Sequence, residues 1–296
     1  MEASLLKRWR WIALAALLVA TAGTVSSCGG VLFAAANAPA LFGKYTREAN
    51  IPYGGGPRRT LDAYLPDQPA ASRPLIVFWY GGSWMKGGKE QYRFVGAALA
   101  LRGYVAVLPD YRVYPEVKFP DFMDDAALAL KWAQDNAVRL GADPRRIYVM
   151  GHSAGAHIAA LLALDARYLE RVGGDPRQVR GLIGMSGPYA LAPDTELLRT
   201  IFGAPFTEAD WQPVQFVTAA SPPTLLLHGS ADRVVWIAHS EQLEATLRAA
   251  GVAVDLRRYE GAGHADPVAA MSVPGRGRAP VLDDISAFVS RSDPSP

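Results

Sequence analysis

Ile147-Tyr148-Val149-Met150-Gly151-His152-Ser153-Ala154-Gly155-Ala156-His157-Ile158 is the stretch whose reading decides the fold. Ile147 to Met150 are apolar or aromatic at every position, as a strand buried on both faces inside a parallel sheet must be. An alanine- and leucine-rich helical stretch follows to about Leu164. Ser153 lies between Gly151 and Gly155, in the spacing G-x-S-x-G. A sharp strand-to-helix turn holds such a serine in a strained backbone conformation. Side chains at the flanking positions would collide with neighbouring main chain. The hydroxyl is thereby lifted above the sheet edge, and the N–H of Ala154, at a helix N-terminus, can donate to an oxyanion. A plain glycine-rich turn with a capping serine fits the same letters. The rest of the chain has to decide.

On either side the pattern is strand, loop, helix, repeated. Apolar runs fall at Leu75–Trp79, Tyr104–Leu108, Gly181–Met185, Thr224–Leu227 and Val252–Tyr259. Helical segments are expected at Tyr92–Leu101, about Phe122–Asn136, Ala238–Ala250 and Val281–Val289. Two weaker extended pieces, Ala49–Tyr53 and Thr60–Tyr64, flank Gly54-Gly55-Gly56-Pro57 and read as an antiparallel hairpin at a sheet edge. Such alternation predicts an α/β domain over residues 47–296, a mostly parallel sheet with helices on both faces. Residues 188–223 break the rhythm and are expected to form a small cap over the carboxyl edge of the sheet, where chemistry sits in such folds.

Composition narrows the function classes. Of 296 residues half are apolar, enough for one large core or two small ones, and the net charge is +2. The basic residues are scattered, so no nucleic-acid footprint is visible. Cys28 is the single cysteine, which excludes an intrachain disulfide and a cysteine-based zinc site. No metal-ligand spacing appears, and no metal is expected.

Residues 1–28 read as an export signal or membrane anchor. Lys7, Arg8 and Arg10 precede the apolar stretch Trp11–Val25, which is short for a membrane span. The stretch ends in Val25-Ser26-Ser27-Cys28, which resembles a bacterial lipobox. That resemblance implies lipidation at Cys28 and an extracytoplasmic, membrane-anchored protein; an uncleaved signal anchor and an ordinary secretory signal are the alternatives. Residues 29–46 show little periodicity and are expected to be a tether.

Four loops at carboxyl ends of strands carry polar residues of the right kind. Tyr80-Gly81-Gly82-Ser83-Trp84 follows the Leu75 strand, and its glycines let main-chain N–H groups point into open space. The serine turn is the second. His228-Gly229-Ser230-Ala231-Asp232 and Gly261-Ala262-Gly263-His264-Ala265-Asp266 are the third and fourth. A serine hydroxyl needs a base within hydrogen-bond reach, and that base needs a carboxylate to fix its tautomer. Of five histidines, His264 alone sits on a glycine-flanked loop at the expected edge. His152 precedes the serine and should point away from it. His157 is one helical turn on, against the oxyanion loop or core, while His228 ends a buried strand and His239 starts a polar helix. Asp266 is two residues from His264, too close to reach its Nδ1, which leaves Asp232. The order Ser153, Asp232, His264 is that of one particular fold.

Residues from about Ile51 to Phe288 resemble the α/β-hydrolase superfamily, in its esterase branch of hormone-sensitive-lipase-like and kynurenine-formamidase-like enzymes. The resemblance rests on four blocks: Tyr80 to Trp84; Asp110-Tyr111-Arg112 through Phe119-Pro120 to Asp125; Gly151 to Gly155; and the Asp232 and His264 loops. It implies a largely parallel eight-stranded sheet with the nucleophile after its fifth strand. It also implies oxyanion donors from the backbone of Gly81, Gly82 and Ala154. Relatives usually open the oxyanion motif with histidine, where this chain has Tyr80, a change that bears on how the loop is held. Asp110, Arg112 and Asp125 read as structural charges paired beneath the site.

The expected chemistry is hydrolysis of a small-molecule carboxylic ester through an acyl-enzyme, with Ser153 as nucleophile, His264 as base and Asp232 orienting it; no cofactor is implied. Amide, formamide or peptide hydrolysis on the same three residues is the alternative, and a non-catalytic module on a hydrolase scaffold a more distant one. Tyr80 and Trp84, with Trp79 and the cap residues Tyr189, Phe202, Phe206, Trp211 and Phe216, are candidates to line an acyl or aryl pocket.

Overall fold

The computed structural model describes residues 27–68 and 72–292. The described residues divide into two compact units between Ala35 and Ala36. Residues 1–26 of the expected export signal or anchor, residues 1–28, lie outside the described residues. Helix α1, Ser27–Asn37, and a 3-10 turn, Ala38–Phe42, occupy most of the expected tether, residues 29–46. The helical form has a local cause. Ala34-Ala35-Ala36 has high helix propensity, and Asn37 is tied to residues 90–94. Its Nδ2 donates to the carbonyls of Glu90 and Gln91 at 3.1 and 3.0 Å, and its Oδ1 accepts from the Phe94 amide at 2.8 Å.

Eight strands form one sheet: β1 (Tyr45–Pro52), β2 (Thr60–Pro66), β3 (Arg73–Trp79), β4 (Val105–Pro109), β5 (Ala142–His152), β6 (Val179–Met185), β7 (Thr224–Gly229) and β8 (Val254–Tyr259). Their order is β1-β2-β4-β3-β5-β6-β7-β8. The β1–β2 and β2–β4 pairs are antiparallel, and all later pairs are parallel. The predicted hairpin is therefore present at the edge. Ile147 to His152 are buried at consecutive positions, so both faces of the central strand are covered.

The connections are helices α2 (Arg93–Leu101), α3 (Asp121–Asn136), α4 (Ala154–Leu164) and α5 (Ala166–Arg171), then α6 (Glu196–Phe202) and α7 (Glu208–Trp211), and finally α8 (Ala238–Ala249), α9 (Asp266–Ala269) and α10 (Val281–Ser292). The predicted helix from Tyr92 starts one turn earlier as a 3-10 segment, Lys89–Tyr92. α6 and α7 fall in the expected cap between β6 and β7. The cap closes on an aromatic cluster. Phe202 meets Trp84 at 4.7 Å and Phe119 at 5.6 Å between ring centroids, and Phe119 meets Phe206 at 5.2 Å and Trp211 at 6.2 Å. Offset and edge-on aromatic pairs of this kind each add about 0.5–1.5 kcal/mol beyond burial.

Candidate active site

The serine turn is built where β5 ends and α4 begins. Ser153 has φ 55° and ψ −123°, a region that side chains other than glycine rarely occupy. The glycines explain how the turn is accommodated. A Cβ on Gly151 would stand 2.1 Å from the Gly155 carbonyl oxygen, and one on Gly155 would stand 2.1 Å from that of Trp79. Both obstacles are backbone, so the turn, the helix start and the end of β3 approach too closely for side chains. The Ser153 amide donates to the Met185 carbonyl at 2.9 Å, fastening the turn to β6. The amide of Ala154 stands at the first position of α4 and has no acceptor among the described residues.

Three residues from three strand ends meet at this edge. His264 Nε2 is 2.9 Å from Ser153 Oγ, and His264 Nδ1 is 2.8 Å from Asp232 Oδ2. The His264 side chain is 17% exposed, so a substrate can approach it, while the Asp232 side chain is fully buried. Asp232 Oδ1 accepts from the amides of Val234 and Val235, both at 2.9 Å. Burial works against charge on this carboxyl. Hydrogen bonds from His228, His264 and those two amides outweigh it and hold the carboxyl far below the usual range. The group is an anion at any working pH. Asp266 is committed elsewhere: its Oδ2 accepts from the Gly263 amide at 2.7 Å, and its other oxygen pairs with Arg278.

The oxyanion loop departs from the expectation in its aromatic residues. Tyr80, a candidate substrate contact, is wholly buried, and Trp84 is 3% exposed. The Tyr80 ring stacks on Tyr111 at 4.8 Å and Tyr92 at 5.7 Å. Its hydroxyl donates to Asp110 Oδ1 at 2.9 Å and accepts from Arg58 at the same distance. The Tyr111 hydroxyl in turn donates to the Tyr80 carbonyl at 2.9 Å. Tyr80 thus anchors the loop from below. Trp84 is likewise part of the cap cluster, edge-on to His157 at 5.2 Å.

The amides of Gly81, Gly82 and Ser83 donate to no main-chain acceptor among the described residues. Gly82 has φ +141°, and a Cβ there would stand 2.0 Å from the Lys86 carbonyl oxygen. Ser83 and Trp84 also have positive φ, 55° and 57°.

The remaining predicted residues fall around this frame. His152 does not point away from the site: its Nε2 donates to the His264 carbonyl at 3.0 Å, and burial, with His264 adding to it, pushes it down to about 3. His157 donates from Nε2 to the Trp211 carbonyl at 2.7 Å. Asp125 is fully buried under Arg59 and Arg112, each within 2.8 Å. Sequence reasoning missed Arg59, Tyr92 and the contact of His228 with Asp232. No signal in spacing announces these, because each pairs residues distant in sequence or inside one buried loop. Among the described residues no group of acidic, histidine and cysteine side chains is arranged to hold a metal. A cavity of about 830 Å³ lies near the start of β6, lined by Leu164, Glu170, Val179 and Pro222, away from the carboxyl edge that carries Ser153.

Known proteins resemble the chain along most of its length. It is 31% identical to the isoprenylcysteine alpha-carbonyl methylesterase of Arabidopsis thaliana over 86% of this chain and 64% of that protein. It is 32% identical to esterase LipC of Mycobacterium tuberculosis over 75% of this chain and 60% of LipC. The chain thus spans less than two thirds of the length of these relatives. Esterase 2 of Thermogutta terrifontis, with propionate bound, superposes with a TM-score of 0.70 at 27% identity, covering 84% of this chain and 94% of that one. A carbohydrate esterase from gut microbiota, 22% identical, shares the fold with a TM-score of 0.72 over 84% of this chain and 97% of its own. The prolyl oligopeptidase family matches residues 203–292. The α/β-hydrolase fold expected from the four motif blocks is therefore present, and with the BD-FAE family matching residues 61–247, well over half of its length, the chain belongs to that family.

Proposed function

We propose that the protein hydrolyses small carboxylic esters through an acyl-enzyme, with Ser153 as nucleophile, His264 as general base and then acid, and Asp232 as the group that orients it. The observation that carries this reading is the continuous hydrogen-bonded line from Asp232 Oδ2 through His264 to Ser153 Oγ, at 2.8 and 2.9 Å. Ser153 adds to the ester carbonyl as His264 Nε2 takes its proton. The carbonyl oxygen becomes an anion that the free amides of Gly81, Gly82 and Ala154 receive. Collapse expels the alkoxide, which takes the proton from His264, and water repeats the sequence to release the acid. The carboxyl of Asp232 stays ionised throughout and stabilises the imidazolium that forms at each step.

The relatives support ester substrates: a methylesterase and LipC by sequence, and esterase 2 with propionate or butyrate bound. Ser153→Ala is expected to keep the fold and lose nearly all p-nitrophenyl acetate turnover, together with labelling by a fluorophosphonate probe. Turnover at the wild-type rate in that variant would remove the assignment. The prolyl oligopeptidase match over the segment holding Asp232 and His264 favours amide hydrolysis as a second reading. A panel of acyl esters, feruloyl esters and formyl amides separates the two. Export, with lipidation at Cys28, rests on the composition of residues 1–28. Intact mass of the membrane-extracted protein tests it: a chain still starting at Met1 excludes lipidation at Cys28.

A further inference from the structure

Asp232 serves two imidazoles, and only one of them faces the serine. His228 ends β7 and Ser240 lies in the first turn of α8; both are fully buried. His228 Nε2 is 2.9 Å from the Val235 carbonyl and 3.2 Å from Asp232 Oδ2, the same oxygen that His264 Nδ1 reaches at 2.8 Å. A carbonyl and a carboxylate are both acceptors, so the proton of the His228 ring sits on Nε2, directed at the Val235 carbonyl with Asp232 Oδ2 as its longer second contact. Nδ1 is then left to accept from the Ser240 hydroxyl at 2.7 Å. We propose that His228, its tautomer locked by Ser240, is a positioning residue that holds Asp232 Oδ2 in line with His264 and moderates its pull on the proton of that imidazole.

The proposal rests on the reading of Ser153, His264 and Asp232 as the reacting set. Oδ1 is already fixed by two amides. The orientation of the carboxylate about that anchor, and the charge left on Oδ2, depend on what else donates to Oδ2. An anion sharing its charge with a second donor attracts the His264 proton less strongly. Removing that donor favours the imidazolium in the resting enzyme, which cannot act as a base. The other titratable groups around this set are His152, which donates to the His264 carbonyl; His239, beside Ser240 on α8; and Asp266, tied to the Gly263 amide and Arg278.

The test compares His228→Leu, His228→Gln and Ser240→Ala with the full-length wild type, in kcat, KM and the pH profile of kcat/KM on p-nitrophenyl acetate. His228→Leu is expected to lower kcat about 10-fold with KM little changed. It should also move the acid limb of the profile to higher pH. His228→Gln, whose amide nitrogen can replace the donor, should restore most of both. Ser240→Ala should move the limb the same way by less, and it carries the test alone if His228→Leu does not fold. An unmoved limb with kcat within about 3-fold of wild type in a folded variant overturns the proposal. Ser153→Ala is assayed alongside. If it still turns over substrate, the triad reading has failed; if it is dead and the His228 and Ser240 variants behave as wild type, the positioning role alone has failed.

Discussion

Replacing Ser153 by glycine should make the protein more stable than replacing it by alanine, though both variants are inactive. At φ 55° and ψ −123° the residue sits where any side chain strains the backbone, at about 1–3 kcal/mol. Alanine keeps a Cβ and therefore keeps the strain; glycine has none and releases it. Glycine also gains freedom in the unfolded chain, which costs about 0.4–1 kcal/mol. The hydrogen bond from Oγ to His264 Nε2 is lost in both variants, so it cancels from the comparison. Ser153→Gly should accordingly exceed Ser153→Ala by about 0.5–2 kcal/mol, or roughly 1–8 °C in melting temperature for a domain of this size. Urea titrations and thermal melts of the two variants measure the difference directly. A glycine variant no more stable than the alanine variant would refute the argument that the turn stores strain to raise the hydroxyl.

Gly155→Ala should destabilise by about 3 kcal/mol or fail to fold, because its Cβ would meet the Trp79 and Tyr80 carbonyl oxygens at 2.1 and 2.6 Å. Gly88→Ala, with 3.7 Å to its nearest neighbour and φ −169°, is the matched control and should change little in the same urea titration. Asp232→Asn should lower kcat about 10⁴-fold with the fold intact, as loss of the orienting acid does in the serine–histidine–aspartate template; a drop under 10-fold would exclude that role. Stability should decline below about pH 6.5. Burial pushes His152 down to about 3 and His157 to about 4, so between those values and the ordinary imidazole range the unfolded chain binds more protons than the folded one. Their contribution is complete above about pH 6.5 and is lost as pH falls toward 3. His157→Gln should flatten the slope, and equal melting temperatures for the wild type at pH 7 and pH 5 would exclude the effect.

How far the sequence could be read depended on the range of the interaction concerned. Strand and helix periodicity is local, so every apolar run reappears as a strand within a few residues of its expected bounds. The three-loop arrangement was also legible, because the order of strands in a parallel sheet places their carboxyl ends along one edge. Tyr80 shows where reading stopped. An aromatic residue next to an oxyanion loop fits a pocket wall or a buried anchor equally well. Arg58 and the adjacent pair Asp110 and Tyr111, drawn from two other segments, make it the anchor.

By itself the sequence determined the strand–helix alternation, the glycine-flanked serine turn and the chain order of serine, acid and histidine, since each follows from local sterics or periodicity. Only the tertiary structure decided which aromatics are core, and that a second buried histidine lies against the carboxylate of Asp232. Those outcomes turn on hydrogen-bond donors and acceptors brought together across long loops. A buried polar group must take whatever partner the packed chain delivers to it.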